Sequence, residues 1–500
     1  MNTESLNIII ATPEMVPFSK VGGLADVIGA LPDELAALGC QVRIFTPLYS
    51  SIDREKFGIT RMDLDDFSVP VGSKLKEAGI FSAKKPGTDI DVYFLHNSEY
   101  YDREGIYYRP ENGEAYRDEP ERTVFFNRAV IESIKILDLY PDVIHCNDFH
   151  TGLIPAYIDL EEQDDSHFRD AGTLFSIHNM AYQGNYEEDF IETAGLDKSL
   201  FYPMSPFEYW GGVNVMKIGI MYAGIVSTVS ETYAEEIKES EKYGHGMEGI
   251  LRDEDLTVIG ILNGIDTDIW NPAKDHLIEE NYSVKDLSGK QKNRDALLDE
   301  YKLKAGPDAP VIGMVSRLVD QKGFDILAEG MDEIMENDLR LVILGTGQEK
   351  FHKLYTKLQK KYPDKLGVRL EYDNRMAHLI EAGSDFFLMP SRYEPCGLNQ
   401  MYSLSYGTIP IVRATGGLKD TVRNLTRNGT RGNGFIFSEY SEEALVETIG
   451  KAVDFFQDKK AVERVRKRIM KEDHSWKSSA GKYIEVYRRA VGKNGLMLTK

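Results

Sequence analysis

Short apolar runs alternate with longer amphipathic stretches along most of this chain. Leu6 to Ala11 is apolar apart from Asn7 and too short for a helix, which predicts a buried strand. A loop follows with Pro13, Glu14, Pro17 and Lys20-Val21-Gly22-Gly23-Leu24. Leu24, Val27, Ile28, Leu31, Leu35 and Leu38 then fall on one face of a predicted helix. Pro32 inside it predicts a kink, and Gly39 predicts its end. Strand-like runs recur at Val42–Phe45, Val92–Leu95, Val143–His145, Leu174–Ile177 and Ile225–Thr228, with helical patterns such as Val124–Ile136 between them.

The alternation resumes in the second half. Strands are predicted at Val311–Val315, Arg340–Leu344, Val368–Tyr372, Phe386–Met389 and Thr408–Val412. Helices are predicted at Lys290–Leu303, Phe324–Met335, Glu349–Lys361, Met376–Ala382 and Leu398–Tyr406. Strand–helix repetition of this kind predicts an α/β fold with two doubly wound, Rossmann-like domains. The divisions fall at 1–255, 256–474, with Val258–Asn263 opening the second domain, and 475–500, which holds a final helix over Ser475–Val491.

Three stretches break the pattern. His96 to Arg122 is polar and carries Tyr100, Tyr101, Tyr107, Tyr108 and Tyr116. It is either a sugar-binding or lid loop, since aromatic faces suit sugar rings, or an irregular surface insertion. Asn185–Tyr209 predicts mostly loop. Tyr243–Gly249 is glycine-rich and predicts a flexible segment near the domain junction.

Candidate chemistry sits in loops that leave strands and enter helices. In open parallel sheets these loops form the ligand rim, and helix N-termini favour anions. Lys20, Gly22 and Gly23 form either a cradle for a diphosphate or an ordinary turn, since the spacing matches no standard phosphate-loop motif. Ser391 to Gly397 is a second such loop and Thr415-Gly416-Gly417 a third. Glu394, taken alone, is either a surface residue on a turn or a carboxylate that accepts hydroxyl hydrogen bonds from a sugar. His145 and His150 flank Asp148 with no third partner for zinc.

The 500 residues carry a net charge of −22, which argues against nucleic-acid and anionic-membrane partners. Three cysteines, Cys40, Cys146 and Cys396, lie far apart with no Cys-x-x-Cys. That fits a reducing compartment, and with no secretory segment or membrane-length apolar run it predicts a cytoplasmic protein.

Lys20-Val21-Gly22-Gly23-Leu24-Ala25-Asp26-Val27 and Ser391-Arg392-Tyr393-Glu394-Pro395-Cys396-Gly397-Leu398 resemble the bacterial and plant-type glycogen and starch synthases. So do, in order, Ser176-Ile177-His178-Asn179, Leu262-Asn263-Gly264-Ile265-Asp266, Ser316-Arg317-Leu318 with Gln321-Lys322-Gly323, and Thr415-Gly416-Gly417-Leu418. The resemblance covers nearly the whole chain. It implies the GT-B architecture, two Rossmann-like domains facing across a cleft, with the last helix crossing back to the first domain. It further implies retaining transfer of glucose from ADP-glucose to the non-reducing 4-hydroxyl of an α-1,4-glucan. UDP-glucose as donor, a related retaining transferase, and a non-catalytic glucan-binding protein are the alternatives.

On that resemblance Asp148 and His178 meet the transferred glucose, and Glu394 faces the sugar. Arg317 and Lys322 face the diphosphate, so no metal is expected. Lys20 reaches the diphosphate from the other domain, Tyr372 stacks on the base, and Asn263, Cys396, Leu398, Asn399, Thr415, Gly416 and Gly417 line the nucleotide subsite. A retaining reaction invites either an enzyme nucleophile or a front-face route in which the leaving phosphate takes the acceptor proton. The second Glu of the wider retaining group is replaced here by Tyr402.

Overall fold

Strands of a parallel sheet are covered on both faces, so they are written as apolar runs without alternation. That is what most of the short runs become in the computed structural model, which describes residues 5–109 and 113–497. The chain forms two units. The first takes in the chain up to Val229, then Ala234–Ile261, and the C-terminal stretch from Trp476. The second comprises Ser230–Tyr233 and Leu262–Ser475.

Among the described residues, the main sheet of the first unit runs in the order Val258–Gly260, Ile225–Thr228, Gly172–Ile177, Val143–Asn147, Asn7–Ala11, Gln41–Pro47, Asp91–His96. These strands are all parallel, with Ile8 between Val42 and Val143. The antiparallel strand Lys74–Lys84 extends the sheet beyond Asp91–His96 and pairs with Thr60–Arg61 and Phe67–Val71. Numbered by sequence, the parallel core is in the doubly wound order, and its direction reverses between Asn7–Ala11 and Val143–Asn147.

Several expectations need correction. Val258–Gly260 pairs in register with Val226–Thr228, so it closes the first sheet instead of opening the second domain. The boundary lies between Ile261 and Leu262, not at 255/256. The helix Gly23–Ala37 runs through the buried Pro32 as one element. Asn185–Tyr209 is mostly loop, as expected, but its ends Asn185–Tyr186 and Glu208–Tyr209 join Gly212–Asn214 in a small antiparallel sheet. Of the 96–122 insertion and the 475–500 segment, residues 110–112 and 498–500 lie outside the described residues.

The C-terminal helix Trp476–Met497 buries Ala480, Tyr483, Val486, Tyr487 and Ala490. It packs on the strand Gly172–Ile177 and the helix Gly23–Ala37, all within the first unit. Approach is so close that a Cβ on Gly172 would stand 2.6 Å from the Ala490 carbonyl carbon.

The sheet of the second unit runs Leu366–Arg369, Arg340–Leu344, Val311–Val315, Phe386–Met389, Ile409–Arg413, Phe435–Phe437, all parallel. This is the 3-2-1-4-5-6 doubly wound order, with its reversal between Val311–Val315 and Phe386–Met389. The strand predicted at Val368–Tyr372 ends at Arg369, which leaves Tyr372 in the loop that follows. The helix predicted over Phe324–Met335 is two, Phe324–Glu329 and Met331–Glu336. They break at Gly330, where a Cβ would meet Val446 at 2.7 Å.

Candidate active site

A doubly wound sheet opens a crevice at its carboxyl edge where the strand order reverses, because the loops on either side leave toward opposite faces. Lys20 and Asp148 in the first unit, and Arg317, Lys322 and Glu394 in the second, follow the strands flanking that point; His178, Thr415 and Tyr372 follow Gly172–Ile177, Ile409–Arg413 and Leu366–Arg369.

In the second unit, Val311–Val315 leads to Arg317 and Lys322, and Phe386–Met389 leads to Glu394. Lys322 Nζ lies 2.6 Å from Glu394 Oε2, and Ser391 Oγ donates to the same oxygen at 2.9 Å. Glu394 is 5% exposed, so it is not a surface residue on a turn. Removing either partner of this ion pair would leave the other without its counter-charge. Lys322, expected at the diphosphate, is therefore first the partner of Glu394. An ammonium has three donors, and this contact uses one. Gly323 makes the pairing possible: at φ +75° its Cα approaches so closely that a Cβ would stand 2.1 Å from Pro390 O. Arg317 is exposed on the same loop.

The loop Ser391–Gly397 is braced from behind. Gly417 N donates to the carbonyls of Glu394 and Pro395, both at 3.2 Å. A Cβ on Gly416 would stand 1.9 Å from Glu394 O, and one on Gly417 2.1 Å from Cys396 O. Gly416 and Gly417, expected to bind nucleotide, thus serve as the bed on which the Glu394 loop lies, and the Gly417 N–H is already engaged. Thr415 is fully buried beside them. Cys396 is buried, and burial pushes its thiol up to about 12. Its neighbour Asn263 is 5% exposed, with an Oδ1 that has no hydrogen-bond partner. Buried acceptors are normally satisfied, so this one is a candidate contact for a ligand hydroxyl or amine. Leu398 and Asn399 stay partly open where the helix Asn399–Ser405 begins. Tyr372 is 78% exposed and not at a strand end.

In the first unit, Asn7–Ala11 leads to Glu14 and the glycine loop, and Val143–Asn147 leads to Asp148. Asp148 Oδ1 accepts from His178 N at 2.7 Å, and His178 Nε2 contacts Asn147 Oδ1 at 2.9 Å. Asp148 and His178 are thus brought together. The Asp148 backbone sits at φ 55°, ψ 178°, a region open almost only to glycine. Burial pushes the Asp148 carboxyl up to about 7, against the lowering effect of its bonds from His178 and Asn179; nearby Glu14 adds to the rise. Burial also holds His178 at about 3, so its imidazole is neutral.

The glycine loop departs from expectation. Glu14 is 3% exposed, and its carboxylate accepts from Val21 N and, at 3.1 and 3.2 Å, from Gly22 N. Those N–H groups, predicted to cradle a diphosphate, are engaged by a side chain. Lys20 pairs with Asp26 at 2.7 Å, and Gly23 begins the helix.

Glu14 was missed as a site residue. A lone glutamate between prolines gives no local sign that it will fold inward seven residues ahead. Tyr107, from the 96–122 insertion, is a second addition. It stacks on His150 with centroids 4.7 Å apart, and burial raises its hydroxyl, with Glu14 and Asp148 close enough to add to the rise. His145 is structural: its ring bonds Ser176 Oγ at 2.7 Å and Tyr487 OH at 2.9 Å. Among the described residues no three or more His, Cys, Asp or Glu are grouped to hold a metal ion.

Two open-sheet units, each with polar groups near its reversal point, fit the GT-B class of glycosyltransferases. Residues 7–253 match the family model for the starch synthase catalytic domain, and residues 298–470 match that for glycosyl transferases group 1. The chain is 41% identical to a glycogen synthase of Thermosipho africanus, covering 98% of this chain and all of that protein. It is 43% identical to one of Geotalea uraniireducens, over 98% and 100%. It superposes with a TM-score of 0.88 on the catalytic domain of Arabidopsis thaliana starch synthase IV, bound to ADP and acarbose. That match is at 31% identity and covers 98% of this chain and 100% of the other. The chain belongs to the glycogen and starch synthase family of glucosyltransferases.

Proposed function

We propose that this enzyme transfers glucose from ADP-glucose to the non-reducing 4-hydroxyl of an α-1,4-glucan, with retention of configuration. The observation that carries the reading is the ion pair of partly buried Lys322 with buried Glu394 at the reversal point of the second sheet. As the bond to the diphosphate breaks, positive charge grows on the sugar and negative charge on the leaving group. A fixed carboxylate serves the first, and Arg317 with the remaining Lys322 donors serves the second. Helix N–H groups near Leu398 and Asn399 add to that, so the charge needs no metal. The Asn263 acceptor and the exposed Tyr372 ring suit the nucleotide. Asp148, with neutral His178, suits sugar hydroxyls in the first unit.

The relatives are named for glycogen synthesis, and the Arabidopsis structure holds ADP and acarbose, which favours an adenine nucleotide and a glucan acceptor. Among the described residues no helix is long and apolar enough to cross a membrane. All three cysteines are free thiols, which fits the cytoplasm.

The test measures glucose incorporation into glycogen with ADP-glucose and UDP-glucose side by side, with and without chelator. Incorporation from ADP-glucose that survives the chelator is expected. Incorporation from UDP-glucose alone would replace the donor, loss with chelator would require a metal, and none from either would overturn the reaction.

A further inference from the structure

The loop between Phe201 and Gly212 in the first unit presents apolar side chains to solvent on a backbone built to keep them there. Trp210 is 89% exposed, Met204 91% and Tyr202 56%. Met204 and Trp210 both have left-handed backbones, at φ 67° and 52°, a conformation that large side chains rarely take. Strain of this kind persists only where the surroundings enforce it.

The surroundings do so. Glu208 spans the loop from within: its Oε2 accepts from Met204 N at 3.1 Å and its Oε1 from Gly211 N at 2.9 Å. Beneath it the buried ammonium of Lys217 donates to Ser205 O at 2.8 Å and Glu208 O at 2.5 Å. Tyr209, next to Trp210, is anchored on the glycine-rich segment. Its hydroxyl donates to His245 O at 3.3 Å and lies 2.2 Å from where a Cβ on Gly246 would be. One carboxylate and one buried lysine are thus spent on holding a tryptophan and a methionine in water.

We infer that Tyr202, Met204 and Trp210 form an accessory platform that binds an α-glucan chain by stacking, outside the residues assigned to the reaction. The inference rests on the glucan acceptor proposed above. The size of the patch favours a sugar chain over a protein. Covered completely, the three side chains would remove roughly 500 Å² from water, short of the roughly 800 Å² per partner that a stable protein interface buries. An indole face, by contrast, matches a single pyranose ring. The net charge of −22 disfavours an anionic partner and places no penalty on an uncharged glucan.

The probe is β-cyclodextrin, which offers α-1,4-linked glucose but has no non-reducing end to extend. Its affinity for the full chain is measured by calorimetry, alongside KM and kcat for glycogen and the oligomeric state by light scattering. Trp210→Ala is expected to weaken β-cyclodextrin about tenfold and to raise KM for glycogen several-fold while kcat holds. Trp210→Tyr, which keeps a ring, is expected to restore most of both. Equal β-cyclodextrin affinity in wild type and Trp210→Ala, or no binding by either, would overturn the platform. An oligomer that Trp210→Ala dissociates would overturn it in favour of self-association. Binding through Trp210 in a protein that transfers no glucose would leave the platform standing and remove the transferase reading.

Discussion

Asp148 combines two unfavourable features, and replacing it by asparagine separates them. The backbone region it occupies costs of order 1–3 kcal/mol for a residue with a side chain. The rise of its carboxyl from 3.8 to about 7 corresponds to about 4 kcal/mol against the ionised form above neutral pH. Asp148 keeps part of its surface open to water, and screening there reduces this to about 2 kcal/mol. Asp148→Asn keeps the backbone strain and an oxygen that can accept from His178 N, but carries no charge.

The sign of the pH effect follows from linkage. A carboxyl whose folded pKa is raised contributes stability that is fully present below the unfolded value and is lost as pH rises through the folded one. The unliganded wild type therefore loses about 2 kcal/mol between about pH 4 and pH 7 through this group, and Asp148→Asn does not. At pH 7.5 the variant's first unit should melt about 4–8 °C above wild type. Its transfer activity should fall at least a hundredfold, as for loss of a well-placed polar group. Differential scanning calorimetry of both proteins from pH 4 to 8, with activity at each end, is the assay. Parallel melting curves across that range, or a variant less stable than wild type at pH 7.5, would refute the claim that burial raises the Asp148 carboxyl.

Glu394→Gln should lower kcat at least a hundredfold while leaving Lys322 partly buried without its counter-charge; steady-state kinetics and melting together check it, and unchanged kcat would remove Glu394 from the reaction. Gly323→Ala, which drives a Cβ into Pro390 O on a φ +75° backbone, should destabilise the second unit by at least 2 kcal/mol and abolish activity, as read by chemical denaturation. Tyr487→Phe removes the hydroxyl that bonds His145, both fully buried, and should cost about 1–3 kcal/mol, seen as faster proteolytic release of the C-terminal helix at unchanged KM.

Both parallel sheets were legible because their strands are buried on both faces and so appear as unbroken runs, as in Ile8–Ile10 or Phe386–Met389. Elements outside that regime were not. Lys74–Lys84 and its antiparallel partners are mixed in polarity, and Leu366–Arg369 sits two residues before its predicted place because charged residues flank it. Val258–Gly260 gave a strand but not its sheet, since pairing is a tertiary choice. Asp148, His178, Lys322 and Glu394 were singled out through their loops and the family resemblance. What the loops could not convey was who satisfies whom. Lys322 and Glu394 are 72 residues apart, and Glu14 takes the N–H groups that a phosphate was expected to fill.

The return of the chain at Trp476 has a consequence for how the protein is made. The first sheet relies on a helix that is translated after the whole of the second unit, which is specified by residues that precede it. The two strands of chain that enter and leave that second unit are hydrogen-bonded to each other, Ile265 N to His474 O at 2.8 Å. The nascent protein would therefore carry a finished second unit while Gly172 and His145 still await their cover. Removing the last twenty or so residues should injure the N-terminal half of the molecule, not the half those residues follow.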